Sequence, residues 1–206
     1  MHSNPNPNSN PNPNPNPNPN SDPKEHMLLE PTLFREYHPE GVLLISCGAF
    51  HTAILARAGP SSHKKEVLIF GSNAEGQLGL GSEVESADEP ASVTSLGHLL
   101  EVLEEVRCGA FHTLVRTSDG RIFSWGLNTH GQCGLGQLPV GDVYSDRVWI
   151  PEEVEALRGL TVASIKAGAW HSMALTSNGQ IFSWGYGEAI RVRVKDNQLG
   201  LMNPDS

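Results

Sequence analysis

The sequence predicts an all-β protein that is built from three copies of one repeating unit. Residues 108–113, Cys-Gly-Ala-Phe-His-Thr, recur with few changes as residues 47–52 and 167–172, so the histidines of successive copies lie about 60 residues apart. Each copy holds four short apolar segments bounded by glycine, proline, aspartate or asparagine, a pattern typical of short strands. An Asp-Gly or Asn-Gly pair joins the third and fourth segments of the last two copies. Such pairs favour type I′ hairpins, with positive φ at both central residues, so we expect antiparallel meanders.

The four predicted strands follow the same order in every unit. A proline-containing segment opens the unit, at Pro31, Pro90 and Pro151, because proline suits the start of a strand or an edge strand. The second segment leads into a Gly-x-x-His motif, the third follows the histidine, and the fourth ends in Phe-Gly or Trp-Gly. A glycine-rich link follows, in which Leu78 and Cys133 are expected to fill the inside of a compact loop. The units span about residues 30–81, 89–136 and 150–202.

The N-terminal tail is predicted to be disordered over residues 1–26, whereas residues 27–206 form the repeat region. Residues 4–20 are almost pure Asn-Pro alternation. Proline lacks the N–H group that helices and strand ladders need, and this composition offers little apolar surface to bury. We therefore expect an extended tail ahead of the folded region.

Composition and charge exclude several classes of partner and site. The net charge of −9 makes nucleic acid an unsuitable general ligand, because phosphate binding needs clustered Lys and Arg. The three cysteines are odd in number and lack metal-ligand spacing. We therefore expect no disulfide framework, no metal and no other cofactor, and a reducing setting in the cytoplasm or nucleus. No apolar run approaches the roughly 18 residues that span a bilayer, and the N-terminus lacks the apolar core of a signal peptide.

Four motifs recur together over residues 30–202: Gly-x-x-His-Thr/Ser, an Asp/Asn-Gly hairpin, Ile-Phe-Ser-Trp-Gly, and Asn-x-x-Gly-Gln-Leu-Gly-Leu-Gly. Together they resemble the regulator of chromosome condensation (RCC-type) repeat family. The resemblance implies a β-propeller of seven blades, each blade a four-stranded antiparallel sheet. Three units then imply a partial β-propeller of about three blades. Repeat units need neighbours to bury their faces, so we expect a fragment of a larger product, a piece that another chain completes, or an unstable product.

The recurring residues are interpreted as structural, and no catalytic, cofactor-binding or metal-binding residue is predicted. A catalytic group is normally needed once, whereas the histidine recurs in every copy. We expect it to make a hydrogen bond across the blade. The structural signature consists of Gly48, His51, Gly71, Gly109, His112, Trp125, Gly126, Gly168, His171, Trp184 and Gly185.

The aromatic and cysteine residues beside the histidines are also interpreted as packing residues. Phe50, Phe111 and Trp170 directly precede the three histidines and are expected to lie in the core between blades. Cys47 and Cys108 share a repeat position at which the third copy has alanine, which indicates a small buried residue rather than a nucleophile.

One departure from the repeat suggests a site for a partner. Residues 189–195, Ala-Ile-Arg-Val-Arg-Val-Lys, alternate apolar and cationic residues at the period of a strand. Arg191, Arg193 and Lys195 would then lie on one face and could bind an acidic partner or a phosphate group. In the founding member of the family a projecting β-wedge engages the small GTPase Ran, which is an analogy of position. The alternatives are a loop extension that contacts only solvent and a gene-model artefact.

The sequence therefore predicts a non-catalytic protein–protein interaction module. Guanine-nucleotide exchange on a Ran-like small GTPase is the alternative that the family resemblance implies, and it rests on that resemblance alone. A third hypothesis is that the units belong to a larger multidomain repeat protein, such as a ubiquitin ligase.

Overall fold

A computed structural model of the chain describes residues 41–59, 61–136 and 146–186, which form three antiparallel sheets. Strands β1 to β4 pair in chain order to form blade 1, and β5 to β8 form blade 2 in the same way. Blade 3 contains β9 to β11 within the described residues. The all-β prediction and the meander topology are confirmed. The strands are β1 (Val42–Cys47), β2 (His51–Arg57), β3 (Lys65–Ser72), β4 (Ser86–Ser92), β5 (Leu103–Cys108), β6 (His112–Thr117), β7 (Ile122–Leu127), β8 (Arg147–Glu153), β9 (Val162–Ala167), β10 (His171–Thr176) and β11 (Ile181–Gly185).

The proline-containing segments close a blade instead of opening one. Pro90 lies in β4, which pairs with β3, and Pro151 lies in β8, which pairs with β7. The prediction that these segments form the first strand of the following sheet is therefore wrong. The glycine-rich link turns the chain back so that the amide of Asn73 donates to the carbonyl of Glu85, 2.9 Å away. The next segment consequently returns along β3, and proline occupies the outermost strand, where a missing N–H is tolerated.

The hairpins between the second and third strands also differ from the prediction. Gly120 and Gly179 have positive φ, of +88° and +85°. The residues before them, Asp119 and Asn178, do not, since Ser61 is the one non-glycine residue with positive φ among those described. The Gly120 amide donates to the Thr117 carbonyl at 3.0 Å. The turn is thus a type I turn followed by a left-handed glycine, and the type I′ prediction is wrong. The Thr117 hydroxyl donates to the Asp119 carboxylate and accepts from the next strand, which holds Asp119 in the right-handed turn.

The Trp-Gly and Phe-Gly pairs have a steric origin. In strand register the histidine of each blade lies opposite the glycine that ends the motif, as His112 does opposite Gly126. Gly126 has φ of +104°, and a Cβ atom there would lie 2.7 Å from the His112 Cα. A side chain at this position would therefore be strained by its backbone and would separate the two strands.

The hydrophobic core lies between blades. A first cluster joins buried residues of blade 1, such as Leu55 and Val67, to buried residues of blade 2, such as Val106. A second cluster joins blade 2 to blade 3 and includes Leu114 and Ile165. Burying one such side chain contributes about 1.5–3 kcal/mol. Most apolar stabilisation therefore comes from contacts between consecutive blades, and each sheet depends on its neighbour.

Candidate functional site

The glycine-rich links are compact loops held by their own side chains. In the first link the Asn73 Oδ1 atom accepts a hydrogen bond from the Leu78 amide at 2.9 Å, and the Asn73 Nδ2 atom donates to the carbonyls of Gly81 and Val84. The side chain of Leu78 is fully buried in the first core cluster. In the second link Asn128 and Cys133 make the equivalent contact at 2.9 Å, and Cys133 is likewise buried. Both links therefore present the backbone carbonyl of the intervening glutamine at a fixed place.

The Gly-x-x-His motif lets the imidazole ring fold back onto its own loop. A Cβ atom built on Gly48, Gly109 or Gly168 would collide with the ring of the histidine three residues later. The glycine amide also donates to the carbonyl of that histidine, at 2.8 Å for Gly109 and His112. The motif thus aims the Nε2 atom out of its own sheet and towards the next blade.

At the boundary between blades 1 and 2, four polar groups form an inter-blade network. The Nε2 atom of His51 lies 2.9 Å from the Thr113 hydroxyl oxygen. That hydroxyl donates to the backbone carbonyl of Gln77 at 2.9 Å, and the Trp125 indole donates to the same carbonyl, also at 2.9 Å. The single hydroxyl proton goes to the carbonyl, so the His51 Nε2–H must donate to the threonine oxygen. The Nε2 atom of His51 therefore carries a proton.

The same network recurs at the boundary between blades 2 and 3. His112 Nε2 lies 2.9 Å from the Ser172 hydroxyl oxygen, which donates to the carbonyl of Gln132 at 2.8 Å. The Trp184 indole donates to this carbonyl at 2.9 Å. Four of the predicted structural residues, His51, His112, Trp125 and Trp184, thus lie at blade boundaries. The hydroxyl groups of Thr113 and Ser172 and the carbonyls of Gln77 and Gln132 were not predicted. The recurrence of Thr or Ser after the histidine is a signal that could have revealed the two hydroxyl groups.

Burial keeps the histidines of the networks uncharged. Desolvation lowers the pKa of His51 to about 4. Desolvation, together with the nearby His51 and His171, lowers the pKa of His112 to about 3. Both side chains are less than a twentieth exposed. A buried neutral imidazole that donates to a neighbouring blade is suited to holding blades together and has no open side for a substrate.

The outer faces of the arc carry incomplete versions of the network. His171 of blade 3 occupies the position of His51 and His112 but is half-buried, and the next blade is not among the described residues. On blade 1, Thr52 occupies the position of Thr113, and its hydroxyl donates to the exposed Cys47 sulfur at 3.8 Å. Phe70 stands in blade 1 where the other blades have tryptophan. The face of blade 1 that points away from blade 2 therefore offers the hydroxyl donor, but not the indole donor, to the carbonyl of a neighbouring blade.

Two predictions about the residues beside the histidines are wrong. Phe50 and Trp170 are 63% and 37% exposed, so they do not lie in the core between blades. They occupy the loop between the first and second strands, where the backbone faces the blade and the ring faces solvent. Cys47 is exposed because it lies on the outer face of blade 1, whereas Cys108 is buried as expected. Burial raises the pKa of the Cys108 thiol to about 12, so the thiolate is strongly disfavoured.

Several predicted features fall outside the described residues or have no counterpart within them. The tail over residues 1–26 and the candidate partner-binding residues Arg191, Arg193 and Lys195 lie outside the described residues. Across residues 41–59, 61–136 and 146–186, the His, Cys, Asp and Glu side chains form no group of three that could hold a metal ion. The helices found in those ranges, Thr94–Leu99 and Glu155–Leu157, do not meet the length and apolar character that a membrane span needs.

The network between blades 1 and 2 predicts that loss of the Thr113 hydroxyl destabilises the fold more than loss of the Thr52 hydroxyl on the outer face of blade 1. Thr113→Val keeps the shape of the side chain but leaves the His51 N–H without an acceptor and the Gln77 carbonyl with one donor. Because these groups stay buried, we expect the free energy of unfolding to fall by about 1–3 kcal/mol in urea titrations. Thr52→Val, at the equivalent position on blade 1, should cost less than half as much. Equal losses for the two variants would contradict the proposed role of the network.

The buried histidines predict a specific dependence of stability on pH. Below pH 6.5 the unfolded chain binds protons that the folded His51 and His112, with pKa values of about 4 and 3, do not accept. The free energy of unfolding should thus be constant above pH 7 and fall as the pH decreases below 6.5, by up to ~1.4 kcal/mol per pH unit for each histidine. The slope between pH 6.5 and 5, from urea titrations, should be smaller for His112→Asn than for the parent chain. An unchanged slope in His112→Asn would show that this residue does not set the effect.

Comparison with protein families identifies the repeat. The model of the regulator of chromosome condensation (RCC1) repeat matches residues 66–116 and 119–175, together more than half of the chain. A second model of the same description matches residues 104–132 and 162–189. The first match runs from β3 of blade 1 to β6 of blade 2, so the sequence repeat is offset from the structural blade.

The relatives of the chain include much longer proteins. The probable E3 ubiquitin-protein ligase HERC6 of Homo sapiens is 35% identical over 146 residues, which cover 71% of this chain and 13% of that protein. The ultraviolet-B receptor UVR8 of Arabidopsis thaliana is 30% identical over 159 residues, which cover 76% of this chain and 32% of the receptor. The chain therefore spans a third or less of the length of these relatives.

A solved structure supports the same assignment. Yeast RCC1 (Prp20), determined in complex with Kap60, is 26% identical and superposes with a TM-score of 0.60 over 72% of this chain and 33% of the yeast chain. The chain belongs to the regulator of chromosome condensation (RCC1) repeat family.

Proposed function

We propose that the chain is a non-catalytic protein–protein interaction module whose third blade binds a further blade of the same type. The observation that carries this proposal is the inter-blade network, which is complete at two boundaries and half present at His171. The described residues use their buried histidines to join blades and not to act on a substrate.

The open face of blade 3 has the composition of a buried blade face. Leu175 and Ile181 lie opposite each other on β10 and β11 and are 42% and 67% exposed. Their counterparts on blade 1, Leu55 and Val67, are 2% and 1% exposed because blade 2 covers them. Covering the face of blade 3 in the same way would remove apolar surface from water and give His171 a hydroxyl acceptor.

The partner that best fits this face within the chain is blade 1 of a second copy. Thr52 holds the position of Thr113 and Ser172, so it can supply the hydroxyl group that His171 requires. Blade 1 also exposes Leu43 and Ile45 by 40% and 60%. Such a contact joins two different surfaces of the same molecule, so it is heterologous and adds copies head to tail. Another chain with RCC1-type blades would use the same contacts.

Sedimentation velocity over a range of protein concentrations tests the proposal. We expect species heavier than the 22.3 kDa monomer, with a fraction that rises with concentration. Leu175→Asp and Ile181→Asp should shift this equilibrium to the monomer by roughly tenfold each, since a charge would be buried in an apolar contact. Ile150→Asp is the matched control, because Ile150 is 50% exposed but lies on the edge strand β8. A monomer that folds cooperatively at all concentrations would contradict the proposal.

We place this function in the cytoplasm or the nucleus, where free thiols are kept reduced. Cys47, Cys108 and Cys133 are all free. An interaction module with three free cysteines suits a reducing compartment.

Guanine-nucleotide exchange on a Ran-like small GTPase is a second candidate, and the similarity to yeast RCC1 favours it. Exchange requires binding and distortion of the GTPase without covalent chemistry, so it is compatible with a site that lacks a catalytic base. The test is release of a fluorescent guanine nucleotide from a Ran-type GTPase. Micromolar chain should accelerate release at least tenfold if the candidate is correct, and reversing Arg191, Arg193 and Lys195 to glutamate should remove the effect. Release at the intrinsic rate would end this candidate.

The similarity to a ubiquitin ligase supports a third candidate, in which the repeats are the non-catalytic part of a larger multidomain protein. The transcript downstream of the Ser206 codon decides this point. Further RCC1-type repeats in the same reading frame would mean that the blade proposed to cover blade 3 belongs to the same polypeptide.

A further inference from the structure

A row of aromatic side chains crosses all three blades at one end of the molecule. The ring centroids of Phe50 and Phe111 are 5.7 Å apart, and those of Phe111 and Trp170 are 5.3 Å apart. His130 continues the row with centroid distances of 5.6 Å to Trp170 and 5.1 Å to Tyr186. We call these five residues the aromatic row.

The backbone beneath the aromatic row is held in place by hydrogen bonds between blades. Phe50, Phe111 and Trp170 occupy the same loop in successive blades, between the first and second strands. The Ala49 amide donates to the Ala110 carbonyl at 3.0 Å, which joins the loops of blades 1 and 2. The carbonyl of each of the three aromatic residues also accepts from the end of the third strand, at 2.8 to 2.9 Å. The backbone that carries the rings is therefore fixed before any ligand binds, which reduces the entropy lost on binding.

The aromatic row is exposed to solvent, and packing between blades does not depend on its side chains. Phe50, Trp170 and Tyr186 are 63%, 37% and 44% exposed, and no other described Phe, Trp or Tyr is as exposed. The other two tryptophans of the repeat, Trp125 and Trp184, point between blades. Contiguous exposed aromatic groups on a rigid backbone are a common feature of interaction surfaces.

The end of the molecule that carries the aromatic row is also acidic. The links between the third and fourth strands emerge there, because the Ser72 amide donates to the Phe50 carbonyl. Glu83, Glu85 and Asp146 lie at the ends of these links and are exposed. Arg147, at the start of β8, pairs with Glu75 of the first link at 2.8 Å. Cations are thus attracted to this end both by carboxylates and by the negative faces of aromatic rings.

We propose that the aromatic row binds a basic peptide segment, with arginine or lysine side chains stacked on its rings. Every second side chain of an extended peptide lies on the same face, with a spacing of about 7 Å, which is close to the 5.3 to 5.7 Å between the ring centroids of neighbouring blades. The proposal adds a second surface to the proposed interaction module and does not involve the open face of blade 3.

The test uses a short peptide of alternating arginine and glycine, together with the same peptide in which citrulline replaces arginine. Citrulline keeps the size of the side chain and removes its charge. Binding is measured by isothermal titration calorimetry to the full chain at physiological salt. We expect the arginine peptide to bind at least tenfold more tightly than the citrulline peptide.

Variants of the aromatic row separate stacking from general attraction to an acidic protein. Phe50→Ala and Trp170→Ala leave the net charge unchanged and should each weaken binding of the arginine peptide roughly five- to tenfold. Trp170→Phe retains a ring and should restore most of the affinity. Ile150→Ala removes an exposed apolar group outside the row and should leave the affinity unchanged.

The outcome is independent of the contact proposed for blade 3. Leu175→Asp, which should prevent association of copies, should still bind the arginine peptide. Equal binding of the arginine and citrulline peptides would overturn the proposal, as would full affinity in the Trp170→Ala variant. Circular dichroism and the thermal midpoint of each variant show whether it has folded like the parent chain.

Discussion

A backbone carbonyl that accepts two hydrogen bonds from the following blade is the interaction on which the rest of the structure depends. Gln77 and Gln132 each receive a hydroxyl and an indole donor, and the hydroxyl in turn accepts from a buried histidine. Apolar clusters between blades supply most of the stabilisation, but they are not directional. The hydrogen bonds are directional and buried, so a change in the angle between blades would leave several polar groups unsatisfied. The network therefore sets the geometry that the apolar contacts stabilise.

Much of the fold could be predicted from the sequence because repetition makes local signals reliable. The recurring motifs identified the strands, the meanders and the family. The position of the proline-containing strand could not be predicted, because sequence order does not show whether a segment pairs backwards or forwards. The fold of the link, in which the Asn73 amide donates to the Glu85 carbonyl, brings β4 onto the preceding sheet.

The candidate sites were less predictable, because exposure depends on the three-dimensional position of a loop. Phe50 and Trp170 stand beside a buried histidine in the sequence, yet their side chains point to solvent. The histidine and the aromatic residue before it point in opposite directions, as neighbours in an extended chain do. Sequence spacing indicated where His51 and His112 lie, but their hydroxyl and carbonyl partners come from the adjoining blade and from a distant link.

The placement of proline in the outermost strands has a consequence for solubility. Open sheet edges are templates for pairing with other chains, and β4 and β8 are the outer edges of blades 1 and 2. Pro90 in β4 and Pro151 in β8 each remove a backbone donor, and the adjacent Asp88, Glu89 and Glu152 add like charges that repel a second edge. The arc can thus expose the faces of its terminal blades to a partner while the edges of its first two blades resist aggregation. Binding uses the face of a sheet, whereas aggregation would use its edge, so the two processes involve different surfaces of the same sheet.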